Sequence, residues 1–213
     1  MKSQSRYLLV EFLLLFIILP VSLAIPYNPI IKLSSIAIGF TYLVYVLIRK
    51  EKVKWLPSTS LQWTLFFKET FIKLLVIAIV TGLFVYFLDR PSLFCVPRSN
   101  MKLWFIILGV YTFISVWPQE VIYRTFFFAR YNDIFKDKRL LIFVNAIVFC
   151  LAHLFLKNAL VLVLTFIGGL LFAWTYQKNE STILVSIEHA LYGNWLFTVG
   201  MGEMLAFPGM EAC

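Results

Sequence analysis

Long apolar runs separated by short polar stretches make up most of the chain. They fall at 7–24, 34–48, 70–88, 103–128, 140–156, 159–177 and 182–201. A helix needs about 20 mostly apolar residues to cross the hydrocarbon core of a bilayer. The pattern therefore predicts an all-α, multi-pass bundle of about seven spans, with 1–213 as a single membrane domain. The fourth run is the longest and contains Pro118. A proline lacks the backbone N–H that a helix interior uses, so a kink or break is expected there. Gly168 and Gly169, in "TFIGGLLFAW", predict a place where two helices approach closely.

Composition agrees with the runs. Of 213 residues, 61% are hydrophobic and 14% charged, against about 45–50% and about 25% in soluble domains. The net charge of +8 raises the question of nucleic acid. However, the lysines and arginines lie in short stretches between apolar runs. There is no basic face with polar or aromatic interleaving, so nucleic acid is excluded as a partner. Membrane lipid is the expected surrounding. The densest basic stretches are "RKEKVK" at 49–54 and "FKDKR" at 135–139. In a seven-span chain both share a side with Lys2 and Arg6. That predicts a cytoplasmic N-terminus and an external C-terminus. Lys2 and Arg6, followed by an apolar run to "SLA" at 22–24, look like a secretory signal. Glu11 inside that run and the many later spans predict an uncleaved first helix instead. Three cysteines, Cys95 in a loop, Cys150 in an apolar run and Cys213 at the end, predict no disulfide framework. The abundance of Phe, Ile and Lys in a short chain fits a bacterial source, hence the inner membrane.

The chemistry must come from the few polar residues in the oil. A charge at mid-bilayer costs about 2.5–3.5 kcal/mol on insertion scales. Glu11 and Lys73 lie near span ends and are expected to anchor at the interface by snorkelling. Glu120, Arg124, His153, Glu188 and His189 lie deeper. Glu120 and Arg124, in "PQEVIYR" (118–124), are four residues apart and share a helix face in the order that favours an ion pair. The only two histidines of the chain are both inside predicted spans. Burying these groups separately would cost each its own desolvation penalty, so they are expected to converge around a water-accessible cavity. In that cluster Glu120 is the candidate general base and Arg124 its holder.

Three stretches carry a resemblance: "QEVIYR" (119–124), "FCLAH" (149–153) and "HALYGN" (189–194). In this order and spacing they resemble the Glu-Glu-x-x-x-Arg, Phe-x-x-x-His and His-x-x-x-Asn motifs of the CPBP or ABI family. Those are intramembrane glutamic endopeptidases that include the CAAX prenyl-protein proteases and bacteriocin-processing or self-immunity proteins. The likeness covers roughly 100–200, and the "GGLLFAWTY" run at 168–176 resembles the family's glycine-containing helix. The resemblance implies a membrane protease that hydrolyses a peptide bond of a membrane-associated peptide or protein. It implies that Glu120 and His153 activate a water, while His189 and Asn194 stabilise the oxyanion. Gln119 and Arg124 would support them, and no cofactor would be needed. By residue counting His153 lies further across the bilayer than Glu120 and His189; a tilted or shortened fifth helix would bring them to one level.

Two positions depart from the family pattern. Gln119 stands where the family's leading Glu is assigned the catalytic carboxylate, so either Glu120 takes over or cleavage is lost. The residue four after His189 is Gly193, and Asn194 comes one later. Glu188 is an extra carboxylate, pointing about 100° from His189 on a regular helix. It would be either a partner of another polar group or a replacement for the missing Glu. Rival readings use the same residues. Two histidines and a carboxylate match the donor types of a catalytic zinc site, so a divalent metal such as zinc is the alternative to a cofactor-free site. The chain has no His-Glu-x-x-His. Cys150 and His153 could form a thiol pair, but neighbours on one helix are poorly placed as nucleophile and base. A non-catalytic membrane interaction or immunity protein (a pseudoprotease) is the alternative of a different class. A transporter would be expected to show paired repeats or broken helices, which are not seen.

Overall fold

The computed structural model describes residues 2–51 and 61–205. Lys52 and Lys54 of the first basic stretch, and Cys213, lie outside the described residues. Among those described the chain is predominantly helical, with no strand. The long helices are α1 (Arg6–Leu23), α2 (Pro29–Glu51), α3 (Trp63–Leu88), α4 (Met101–Tyr131), α5 (Lys138–Leu151), α6 (Ala159–Asn179) and α7 (Thr182–Val199). Six of the described helical segments are long and apolar enough to cross a membrane. The seventh expected span, α7, is an 18-residue helix that carries Glu188, His189 and Asn194, which lower its apolarity. Large apolar side chains such as Phe71, Val76 and Phe87 on α3, and Phe113 and Ile114 on α4, are exposed. Lipid tails are the natural solvent for such a surface, and a helix brings no unpaired backbone polar groups into it. This is a multi-pass membrane protein.

Helix starts follow from short polar side chains. Asn28, Asn100, Asp137 and Asn158 each accept hydrogen bonds from the first free N–H groups of α2, α4, α5 and α6. That is the usual work of Asn and Asp at an N-cap. Glu180, in the left-handed region at φ 48°, ends α6 and turns the chain into α7.

Pro118 does not break α4. Instead, wide π-helical turns flank it at Tyr111–Val116 and Val121–Phe126, with one ordinary turn, Trp117–Glu120, between them. A π turn shifts the hydrogen-bond register, which accommodates the missing proline N–H. Glu120 ends the ordinary turn between these two wide stretches.

The chain folds as two compact units, 1–56 with 121–182 and 57–120 with 183–213. The first contains α1, α2, the end of α4, α5 and α6. Phe12, Phe16, Phe126, Phe127 and Tyr131 pack there in edge-on and stacked pairs. Glu11 sits beside this cluster and corrects the expectation of interfacial anchoring. It is 5% exposed and accepts from Arg130 Nε at 2.8 Å, Tyr131 Oη at 3.2 Å and Tyr42 Oη. Arg130 Nη1 also donates to Glu51 at 2.8 Å. The carboxylate is kept in the apolar interior by a charged partner and two hydroxyls, as desolvation demands. In the same unit α5 and α6 form a hairpin that touches at Gly169. A Cβ there would lie 2.9 Å from Ala146 Cα. Gly168, by contrast, faces only the Phe172 ring of its own helix. The free Cys150 thiol donates to Leu162 O at 3.2 Å across this hairpin. Cys95, in the other unit, is disulfide-bonded, which corrects the expectation drawn from cysteine spacing.

The second unit contains α3, the start of α4 and α7. Trp195 Nε1 donates to Thr81 Oγ1 at 2.8 Å, and Trp104 Nε1 to Thr198 Oγ1 at 3.0 Å. Val96, Ile107 and Phe197 form its core. Lys73, also expected as an interfacial anchor, is ion-paired with Glu188 of α7, which is fully buried. Tyr192 Oη donates to the same Glu188 oxygen at 2.8 Å. Glu188 is therefore the partner of a separate polar group.

Candidate active site

Glu120 and His189 meet within the second unit. His189 Nδ1 lies 2.6 Å from Glu120 Oε1, and the residues are 0% and 5% exposed. The ring nitrogen that faces Glu120 is Nδ1, and Nε2 is the second, distinct ring position. This contact fixes the direction of the His189 ring. The edge of Tyr111 packs against the His189 ring at 6.0 Å between centroids.

Asn194 and Gln119 flank this pair on the same two helices. Asn194 Nδ2 donates to Thr112 Oγ1 at 3.0 Å, and its buried Oδ1 has no partner among the described residues. Gln119 Nε2 donates to Ser115 Oγ at 2.8 Å, one turn back on α4. The Gln119 Oε1 atom is buried with no partner among the described residues.

Arg124, Phe149 and His153 form a group in the first unit. The fully buried Arg124 guanidinium lies 4.4 Å from the Phe149 ring centroid and 5.5 Å from that of Phe172. Desolvated cation–π contacts of this kind are worth about 2 kcal/mol. The α-helical part of the fifth span stops at Leu151, so His153 sits in the turn after a shortened helix. His153 Nδ1 donates to Phe149 O at 2.8 Å, and its ring packs on Phe149 at 4.9 Å. A carbonyl only accepts, so Nδ1 carries a proton and Nε2 is the other ring position. The Phe-x-x-x-His spacing thus has a local reason: Phe149 positions His153 with its carbonyl and packs against both His153 and Arg124 with its ring.

The residues that sequence reasoning missed are Tyr111 and Thr112. They stand about two turns before the first motif, and only contact with α7 marks them. The signal that could have found them is Gly193, the empty position where a side chain was expected. Among the described residues no group of three or more His, Cys, Asp or Glu side chains is placed to hold a metal ion.

Residues 100–195 match the family model described as Type II CAAX prenyl endopeptidase Rce1-like. The match contains all three motifs and ends one residue after Asn194. No curated protein and no solved structure matches the chain.

Proposed function

We propose, from the place of residues 100–195 in the CAAX protease-like family, that this membrane protease uses Glu120 as its working carboxylate. The observation that carries this reading is the 2.6 Å contact between Glu120 and His189, both buried and contributed by two different motif helices. In the reaction Glu120, with His153, takes a proton from water as its oxygen attacks the scissile carbonyl carbon. The carbonyl π pair moves onto oxygen, and the oxyanion is met by His189 and Asn194. Collapse breaks the C–N bond, and the proton passes to the leaving amine. Donors aimed at the oxyanion are worth about 2.7–4 kcal/mol each in other hydrolases. Arg124 is the supporting cation of the first motif, and Gln119 orients a water that donates to Oε1, or the substrate carbonyl through an Nε2 N–H. The substrate is a membrane-associated peptide or protein, and the setting is a bacterial inner membrane. The site works without a cofactor.

Gln119 gives the second reading its support. A protein whose leading carboxylate is lost could bind a peptide or a membrane partner without cutting it, as an immunity protein would. The test uses purified protein in vesicles with three probes: a farnesylated CAAX peptide, its unfarnesylated counterpart and a single-span transmembrane peptide. Products are read by intact mass. Glu120→Gln should lower cleavage about 10²–10⁴-fold, the usual contribution of a general base, with folding and expression unchanged. A chelator such as 1,10-phenanthroline should leave the rate unchanged; loss that zinc restores would replace the water-activating carboxylate with a metal site. An inert wild type that becomes active only on Gln119→Glu, with Glu120→Gln silent, would make the native chain a pseudoprotease.

A further inference from the structure

Position 193 is one turn after His189 and shares its face of α7. The family pattern expects an asparagine there, and this chain has Gly193. The space is not empty. A Cβ built on Gly193 would overlap the hydroxyl end of Tyr111, meeting its Oη, Cζ and Cε1 atoms first. The phenol from α4 therefore occupies the volume of the absent side chain, with its hydroxyl foremost.

The ring is held in that place by the residues on either side. Tyr111 packs edge-on against His189 at 6.0 Å and against Phe197 at 4.9 Å between centroids. His189, Gly193 and Phe197 are spaced by four, so Tyr111 lies along one face of α7 with Gly193 beneath it. Asn194 does not fill that volume: it is offset about 100° around the helix, and one of its two amide N–H groups donates to Thr112.

We propose that the Tyr111 hydroxyl is an oxyanion donor beside His189, standing in for the side chain that Gly193 lacks. This rests on the protease reading above. Tyrosine is among the side chains that can serve as such a donor, because its O–H is neutral and held by a rigid ring. Gly193 and Tyr111 then form one exchangeable unit: the helix gives up a side chain, and the facing helix supplies a donor into the same volume.

Tyr111→Phe removes the hydroxyl and keeps the ring. On whichever probe peptide the wild type cleaves, kcat should fall about 10²–10³-fold, as on loss of one oxyanion donor, with KM within two-fold. Affinity for a phosphinate analogue of that peptide, which mimics the tetrahedral oxyanion, should fall in parallel, while affinity for the uncleaved peptide stays constant. Gly193→Asn alone should be inactive because it collides with Tyr111. Tyr111→Ala with Gly193→Asn should recover at least ten-fold over Tyr111→Ala alone. A Tyr111→Phe variant with wild-type kcat, beside an inactive Glu120→Gln, overturns the role of Tyr111 and leaves the protease reading standing. A wild type that neither cleaves a probe peptide nor binds its phosphinate analogue overturns both.

Discussion

Replacing Gly169 by alanine adds one methyl group at the point where α5 and α6 touch. That methyl would lie 2.9 Å from Ala146 Cα, 3.2 Å from its Cβ and 3.3 Å from its carbonyl oxygen. Carbon atoms in good contact stand about 3.5–4.0 Å apart, so the two backbones must separate by several tenths of an ångström. Neither side can yield by rotating a side chain, because the nearest obstacle is backbone. Overpacking of this kind costs about 1–3 kcal/mol. The replacement also gains about 0.5–1 kcal/mol because alanine is the better helix former. Gly168→Ala isolates that gain, since its methyl meets only the Phe172 ring at 3.2 Å, and a ring on its own helix can move. The helix-propensity gain cancels between the two variants, leaving Gly169→Ala less stable than Gly168→Ala by about 1–3 kcal/mol. At about 2–4 °C per kcal/mol for a chain of this size, the melting midpoints should differ by roughly 2–12 °C. Cys150 supplies the assay, because its free thiol donates to Leu162 O across the same hairpin. A thiol-reactive fluorogenic dye added during heating in detergent reports when the hairpin opens. Equal midpoints for the two alanine variants would refute the argument that backbone contact at Gly169 sets the helix spacing.

Two other outcomes test features outside the motifs. Lys73→Met strands the buried Glu188 carboxylate and should destabilise the protein toward the low end of about 3–5 kcal/mol, because Lys73 keeps 26% of its side chain exposed. Adding Glu188→Leu should restore most of the loss in a detergent melt; a double variant no better than the single would show that the ion pair is not what Lys73 contributes. Ser92→Cys and Lys136→Cys should react with an impermeant maleimide from opposite faces of sealed vesicles, as the basic loops predict. Reaction of both from one face would reverse that topology.

Much of the helical architecture was legible because it depends on local composition. Apolar runs place the helices, and the Asn and Asp caps at 28, 100, 137 and 158 mark starts that the runs alone blur. The run expected at 70–88 is a helix from Trp63, since Lys68 and Glu69 interrupt apolarity but not helix formation. The Glu120–His189 contact was legible for a different reason: buried polar groups on separate spans need one another. Contacts at long separation were not legible. Lys73 and Glu188 pair across 115 residues, so Lys73 read as a snorkelling anchor when only its own span was considered. Tyr111 was invisible because its meaning depends on a glycine 82 positions later. The π turns around Pro118 also escaped, because the apolar pattern of α4 does not distinguish a wide turn from a kink.

The link between Glu11 and Arg130 has a consequence for biosynthesis. The two residues are 119 positions apart. At about 5–20 residues per second of synthesis, the first helix emerges roughly 6–24 s before its charged partner exists. Tyr42 arrives earlier and can bridge part of that interval with a neutral hydroxyl, but it brings no positive charge. The first helix is therefore made with a carboxylate whose charged partner, Arg130, comes with the fourth. Its final seating waits on translation of α4.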